Sequence, residues 1–129
     1  MDNYYDPVSG QWVTDWDRYQ AIAQQPPFDD LYAALAAHPE RAWPLLLDLL
    51  ASVPPDTVHY VGSGPLEDFI HAHGAAFIAE LEAAAQSNAL FRDAALEVNL
   101  ERGELPAPIE QRLLAAFGPR FKLLERNAG

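Results

Sequence analysis

Residues 61–74, VGSGPLEDFIHAHG, contain the clearest helix signal of the chain, because residues that favour a helix start and residues that favour a helix end both occur in this short stretch. Gly62, Ser63 and Gly64 predict a turn, and Pro65 suits the first helical position, where its missing N–H costs nothing. Two acids follow in the first turn and two histidines in the last, each near the end of the helix dipole that favours its charge. The stretch therefore predicts a helix in which every residue has a role in folding.

Apolar residues recur at helical spacing on both sides of this stretch. Gly74 suits the left-handed position that often follows a helix, and VHYV at 58–61 is either extended or an early helical turn. Pro44 either begins a buried apolar helix after a turn or kinks that helix, and a turn at 39–43 is the favoured interpretation. The predicted helices are 14–25 capped by Thr14, 28–38 with Phe28, Leu31, Tyr32 and Leu35 on its apolar face, 44–52, 65–73, 75–86, 88–100 capped by Ser87 or Asn88, and 109–117 closed by Gly118 and Pro119.

This pattern predicts an all-α, single compact domain of about six or seven short helices without a β-sheet. A weak repeat between residues 28–39 and 66–74 allows an α-solenoid arrangement of HEAT-like helix pairs. Residues 1–13 are aromatic and acidic and contain the breakers Pro7 and Gly10. They predict an irregular N-terminal arm, which leaves the helical domain at residues 14–129.

No secretory or membrane-spanning segment is predicted. The first twenty residues contain four aspartates and no apolar run of the kind found in signal peptides. No stretch of about 18 apolar residues is present that would predict a transmembrane helix. A cytoplasmic protein is therefore expected.

The charge of the chain narrows the class of partner. The formal net charge is −11, and the acids concentrate in residues 1–100, while residues 101–129 are slightly basic. Phosphate contacts require Lys and Arg, so this balance argues against nucleic acid and anionic membranes as partners. The charge favours a basic protein partner, or it serves solubility alone.

The sequence contains no recognisable metal or cofactor motif. Cysteine is absent, and His71 and His73 are two residues apart, about 200° around a helix, so they cannot converge on one ion. Gly62-Ser63-Gly64 lacks the further glycine or lysine of nucleotide-binding loops, and Pro65 removes one of the N–H donors. No metal and no cofactor are expected.

Catalytic patterns are equally absent. Ser63 lies outside any Gly-x-Ser-x-Gly elbow, and no sheet is predicted to display it. The adjacent acids Glu67–Asp68 and Asp29–Asp30 lie in predicted first turns, where acids commonly stabilise the helix end. No catalytic residues are assigned.

Exposed aromatic side chains among acids are the best sequence candidates for a partner surface, because aromatic residues are enriched at interface hot spots. Trp16 and Tyr19 have an alternative interpretation as the core side of the first helix, and Trp43 beside Pro44 is expected in the core. The predicted partner-binding residues are Tyr4, Tyr5, Asp6, Trp12, Asp15, Trp16, Asp17, Glu67 and Asp68.

Four short motifs carry a family resemblance: GPLED at 64–68, His73–Gly74, Phe77–Ile78 with Glu82 nearby, and Phe91–Arg92 with Leu96. Together with the preceding WPLLLDLLASVPPDTVHYV, they resemble a family of small bacterial proteins with a domain of unknown function, over roughly residues 41–98. Ser63, where the family has alanine, and an inserted Ala95 depart from the pattern. The resemblance implies a compact helical domain and brings no established activity, cofactor or catalytic residue.

Three hypotheses for function follow. The leading one is a non-enzymatic acidic protein-binding module, most concretely an immunity- or antitoxin-like inhibitor of a basic bacterial effector, since nucleic-acid-cleaving effectors carry basic clefts. The second is a helical adaptor or scaffold subunit that docks a partner through an apolar groove. The third is an enzyme using Glu67, Asp68 and the histidines, which requires these side chains to converge on one pocket. The expected partner is a basic protein, and the chain is a monomer or homodimer.

Overall fold

The computed structural model describes residues 3–7 and 10–125, and for residues 3, 4 and 6 it describes the backbone alone. Within this part of the chain, eight α-helices make up the domain, which confirms the all-α prediction. They are α1 (Asp15–Ala23), α2 (Leu31–Ala37), α3 (Pro39–Ser52), α4 (Val58–Val61), α5 (Glu67–His73), α6 (Ile78–Ser87), α7 (Ala89–Ala95) and α8 (Ala107–Phe117).

The N-terminal residues are more ordered than the sequence predicts. Strands β1 (Asn3–Asp6) and β2 (Gln11–Thr14) pair antiparallel, with Tyr5 opposite Trp12. The expected irregular arm is therefore a short hairpin, which also amends the expectation of a chain without any sheet. Gly10, at φ 72°, provides the left-handed residue that a tight reversal between strands needs.

Two helix starts follow directly from capping chemistry. The side chain of Thr14 accepts the N–H of Asp17 at 3.1 Å, and the Asp17 carboxylate accepts the N–H of Thr14 at 3.0 Å. This reciprocal pair satisfies two backbone donors that would otherwise lack partners at the start of α1. Asn88 caps α7 in the same manner by accepting the N–H of Phe91 at 3.1 Å. Both predicted caps are confirmed.

Two predicted helix boundaries are wrong. Helix α3 begins at Pro39 and continues through Pro44, instead of beginning at Pro44 after a turn. The hydrogen bond lost at Pro44 is tolerated because the helix buries an apolar face against the rest of the domain. Helix α7 ends at Ala95 instead of Leu100. The Glu67 carboxylate accepts the N–H of Asn99 at 2.6 Å and so holds the chain after α7 in a non-helical path.

The stretch at 61–74 is helical almost throughout. Residues Val58–Val61 form a helical turn, and the wide turn Gly62–Leu66 connects it to α5. Gly74 has φ −57° and is not in the predicted left-handed conformation. It is buried, and a Cβ there would lie 2.5 Å from the carbonyl oxygen of Ile70 and 3.2 Å from the Leu105 side chain. Gly74 is therefore required by close packing at the end of α5.

The core lies between helices that are not all neighbours in sequence. Helix α2 packs on α3, but α4 packs on α7 and α6 packs on α8. A solenoid stacks consecutive pairs, so this packing is that of a bundle. The largest fully buried side chains are Phe69, Phe91, Leu46, Leu49, Leu50, Leu66, Ile70, Leu81, Leu100 and Leu113.

Candidate functional site

A surface cavity of about 550 Å³ opens between α1, the start of α2 and the turn Gly62–Leu66. Its volume is in the range of small-ligand and side-chain binding sites. We call it the aromatic cleft, after the rings that line it, which are those of Trp16, Tyr19, Phe28, Tyr32 and Tyr60.

One wall of the aromatic cleft is a packed cluster of three rings. Trp16 and Tyr19 are three residues apart on α1 and so share a face, which Tyr60 of α4 meets. The Trp16 and Tyr60 rings are edge to face with centroids 5.0 Å apart. Tyr19 lies 5.4 Å from each of them. The cluster forms a continuous aromatic surface along the cleft.

Another part of the lining comes from the segment after the Pro26–Pro27 bend. A short 3₁₀ turn, Phe28–Asp30, leads directly into α2 and carries Phe28 and Asp29 into the lining. Tyr32 follows in the first turn of α2 and is 54% exposed, although helical spacing predicts it on the apolar face. It therefore lines the mouth of the cleft.

Tyr19 is a largely buried residue whose hydroxyl has no partner within the described fold. The residue is 5% exposed, and its hydroxyl has no hydrogen-bond partner in the described part of the chain. Among the same residues, no fully buried side-chain polar atom is left without a partner. The Tyr19 hydroxyl must therefore be reachable by solvent, and the cleft that this residue lines is the space it faces.

Two tyrosines of the cleft hold their protons more tightly than usual. Burial raises the pKa of Tyr19 to about 12, and the nearby Tyr32 adds to the effect. Burial also raises the pKa of Tyr32, with a contribution from the Asp68 carboxylate. As neutral phenols, both hydroxyls can accept or donate a hydrogen bond.

Carboxylates at the cleft differ in whether the fold already uses them. Asp29 lines the cleft, and the charge of Asp68 helps to raise the pKa of Tyr32. Neither carboxylate forms a hydrogen bond or ion pair within residues 3–7 and 10–125. Asp15, in contrast, pairs with Arg18 at 3.2 Å. An unpaired carboxylate remains available to a positively charged partner, whereas Asp15 is already neutralised.

The nine predicted partner-binding residues do not form one surface. Tyr5 and Trp12 make an exposed edge-to-face pair on the hairpin, with centroids 5.4 Å apart. Trp16 lies in the cleft wall, where it contacts Tyr19 and Tyr60 and is 45% exposed, and its role in partner binding stays a prediction. Three of the acids serve the fold: Asp15 pairs with Arg18, Asp17 accepts the N–H of Thr14, and Glu67 accepts the N–H of Asn99. Asp68 is exposed. The side chains of Tyr4 and Asp6 lie outside the described residues.

The sequence reading missed Phe28, Asp29, Tyr32 and Tyr60 as site residues. Their signal was present, because Phe28 and Tyr32 are four residues apart and Tyr60 lies in an aromatic stretch. Helical spacing predicts that such residues lie on the apolar face of a helix. It does not show that α1, the start of α2 and the segment around Tyr60 leave a cavity between them.

The histidines bind separate parts of the fold. The Nε2–H of His71 donates to the carbonyl of Asn99 at 2.8 Å, and that of His73 donates to the carbonyl of Leu35 at 2.8 Å. His71 also lies 3.4 Å from the Glu104 carboxylate. Within the described ranges, no three His, Asp or Glu side chains are grouped so that they could hold a metal ion.

Comparison with known protein families gives one match, to a family of unknown function, DUF6869, over residues 18–120. The chain belongs to this family. The DUF6869 match contains the segment 41–98 that carried the resemblance and extends it in both directions, over α8 and all of the aromatic cleft except Trp16. Neither the curated proteins nor the solved structures contain a significant match. Among the described residues, no helix has the length and apolar character needed to cross a bilayer.

Proposed function

We propose that this DUF6869 chain is a non-enzymatic, cytoplasmic, acidic protein-binding module, most concretely an immunity- or antitoxin-like inhibitor of a basic bacterial effector. The observation that carries the proposal is the aromatic cleft, with the unpaired Asp29 in its lining, on a chain of net charge −11. Aromatic rings supply contact area and the carboxylate supplies charge, which together suit a basic protein surface.

Electrostatics support a basic partner over other macromolecules. A strongly acidic surface steers positively charged partners during encounter and repels phosphate groups. Effectors that cleave nucleic acid need basic surfaces, so an acidic protein that covers such a surface would block substrate access. Inhibition by occlusion requires no catalytic group in the inhibitor.

The described site is suited to binding more than to catalysis. The enzyme hypothesis requires Glu67 and the two histidines in one pocket, but the fold already uses all three: Glu67 and His71 hold the backbone of Asn99, and His73 holds the carbonyl of Leu35. None of these three side chains lines the aromatic cleft. The polar and aromatic groups in the cleft are phenol hydroxyls, an indole, the amides of Gln20 and Gln24, the Ser63 hydroxyl and Asp29, which can recognise a ligand through stacking and hydrogen bonding.

A helical adaptor is the second candidate, and the same cleft favours it. Five rings make much of the lining apolar, and an apolar groove can receive a partner segment without charge. The two candidates differ in salt dependence, because screening weakens charge-steered binding and leaves apolar docking largely unchanged.

Affinity capture with matched variants tests the proposal. The tagged protein is used to capture partners from the lysate of its host at about 0.1 M and about 0.5 M salt, two concentrations at which charge screening differs strongly. Each captured protein is then purified, and its Kd is measured directly. Asp29→Asn with Asp68→Asn removes the two unpaired acids at the cleft, and Glu80→Gln with Asp93→Asn makes the same charge change on α6 and α7.

We expect a basic protein whose Kd weakens steeply with salt and whose activity is inhibited stoichiometrically. The Asp29/Asp68 variant should bind it at least about tenfold more weakly, a loss of about 1.4 kcal/mol, and the Glu80/Asp93 variant should bind nearly as the wild type does. A partner that binds equally at both salt concentrations would favour the adaptor. Equal loss in both variants would show that net charge, not the cleft, governs binding.

A further inference from the structure

The geometry points to an arginine side chain as the group that the aromatic cleft receives, with its guanidinium stacked on the ring wall and paired with the Asp29 carboxylate. This inference rests on the proposed function, because it names the part of the basic partner that enters the cleft. Three features of the site support an arginine: the rings, the polar atoms and the charge.

The ring wall provides a surface for a cation. Trp16, Tyr19 and Tyr60 lie within 5.0–5.4 Å of one another and line the same cavity. Cations are attracted to aromatic faces, most strongly to that of tryptophan. The guanidinium of arginine is planar and weakly hydrated, so it stacks on such a surface at a lower desolvation cost than the compact ammonium of lysine.

The polar atoms in the cleft are acceptors that a guanidinium can use. The Tyr19 hydroxyl belongs to a residue that is only 5% exposed, and it has no hydrogen-bond partner among the described residues. The hydroxyls of Tyr32 and Tyr60 are likewise without a hydrogen bond in that part of the chain. A guanidinium carries five N–H donors, so one arginine can satisfy several of these acceptors together.

The charge at the cleft selects a cation over an anion or a neutral group. Asp29 lines the cavity and has no counter-ion within the described residues, and Asp68 acts on the Tyr32 hydroxyl from the mouth. The lining includes no Lys, Arg or His side chain. A carboxylate or phosphate would find no cationic side chain there and would be repelled by Asp29, and a neutral group would leave Asp29 unpaired.

The inference is tested on the full chain by NMR titration with a blocked tripeptide, acetyl-Gly-Arg-Gly-amide. The matched probe carries citrulline, which has nearly the same shape as arginine without the charge, and a third probe carries lysine. The indole N–H signal of Trp16 and the ring signals of Tyr60 report on the cleft, and the Trp12 indole reports on binding elsewhere. The complete amide spectrum shows that each variant is folded.

We expect saturable shifts at Trp16 and Tyr60 with the arginine probe, with a Kd in the millimolar range typical of so small a ligand. The citrulline probe should bind at least about tenfold more weakly, and the lysine probe about threefold or more. Asp29→Asn should weaken arginine binding about three- to tenfold. Tyr19→Phe, which keeps the ring and removes the hydroxyl, should weaken it about two- to fivefold, and Asp93→Asn should leave it unchanged.

Three results would overturn the inference. They are equal binding of arginine and citrulline, unchanged arginine binding by Asp29→Asn, or no shift at Trp16 up to about 50 mM probe, well above a millimolar Kd. Each of these leaves the proposed function standing if a basic partner is still captured and inhibited. Conversely, capture of a non-basic partner would overturn the proposed function whatever the probe does at the cleft.

Discussion

Gly62, in the turn between α4 and α5, lies directly against the backbone carbonyl group of Ala94 in α7. A Cβ at Gly62 would come 2.8 Å from the carbonyl carbon of Ala94 and 3.0 Å from the Cβ of Glu97. The turn and α7 would have to move apart to admit one methyl group. We therefore expect Gly62→Ala to lower the free energy of unfolding by about 3 kcal/mol or more, measured by urea denaturation.

The neighbouring Ser63→Ala is the control for this prediction. It places the same side chain in the same turn, at an exposed position where the serine hydroxyl donates only to the carbonyl of His59. Its cost should stay within about 0.5 kcal/mol. If Gly62→Ala were as stable as Ser63→Ala, the contact between the turn and α7 would be less close than described.

A second prediction concerns the ion pair that holds α1 to the segment before α4. The guanidinium of Arg18 donates to both oxygens of Asp56, at 2.8 and 3.2 Å, and this lowers the pKa of Asp56. A lowered pKa in the folded state adds stability at pH values above the usual aspartate pKa, and that stability disappears as pH falls through the folded value.

Asp56→Asn should therefore cost stability at pH 7 and become indistinguishable from the wild type in acid. Because the Asp56 side chain is 61% exposed, we expect a loss of only about 0.5–1 kcal/mol at pH 7, which shrinks below about pH 4. Asp93→Asn, which removes an exposed acid without a described ion pair, should run parallel to the wild type. Thermal unfolding at pH 3 and pH 7 measures both, and a constant gap between wild type and Asp56→Asn would refute the pairing.

Tyr19 predicts a change at alkaline pH. Its pKa of about 12 in the folded protein is above the usual value of 10.0, so the folded state retains a proton that the unfolded chain releases. The corresponding stability is complete below about pH 10 and is lost as pH rises toward 12. Tyr19→Phe cannot lose this contribution, so its stability relative to the wild type should rise by about 1 kcal/mol between pH 8 and pH 11.

Chemical denaturation at the two pH values tests the Tyr19 prediction, with Tyr5→Phe as the control. Tyr5 is an exposed phenol on the hairpin, so the stability of that variant should follow the wild type at both pH values. A Tyr19→Phe curve that also follows the wild type would mean that the Tyr19 hydroxyl is well hydrated in the cleft.

The tryptophans should differ widely in their contribution to stability. Trp43 packs on Phe69 and Phe91, with ring centroids 5.3 and 5.9 Å away, as expected for a core residue. We expect Trp43→Ala to cost about 3 kcal/mol, because it leaves a cavity between these rings. Trp12→Ala removes a side chain that is 69% exposed and should cost less than about 0.5 kcal/mol. Urea unfolding followed by circular dichroism compares them, and similar costs would place Trp12 in a packed environment.

Local chemistry explains which parts of the fold could be predicted from the sequence. The caps at Thr14 and Asn88 act over three residues, and Gly118 ends α8 with a φ of 88°. Each of these signals lies within the element that it delimits. The start of α3 at Pro39 could not be predicted in this way, because Pro44 opposes the helix locally and only burial of its apolar face compensates.

The candidate site was predictable only in part, for the same reason. The sequence places Trp16 and Tyr19 on one helix face and marks Trp16 as a candidate for binding. Whether the rings of α1, α2 and α4 close together or leave a cleft depends on how segments distant in sequence pack, and the close approach of Gly62 to Ala94 is one such contact. That contact joins residues 32 positions apart and has no local pattern of its own.

The capping box at Thr14 also determines how the two aromatic surfaces can be used. Thr14 is at once the last residue of β2 and the cap of α1, so no flexible linker separates the Tyr5–Trp12 pair from the wall of the cleft. A partner long enough to reach both would meet the second surface at a high effective concentration once it had bound the first. Two weak contacts on surfaces joined without a flexible linker could in that way give bivalent binding that is tighter than either contact alone.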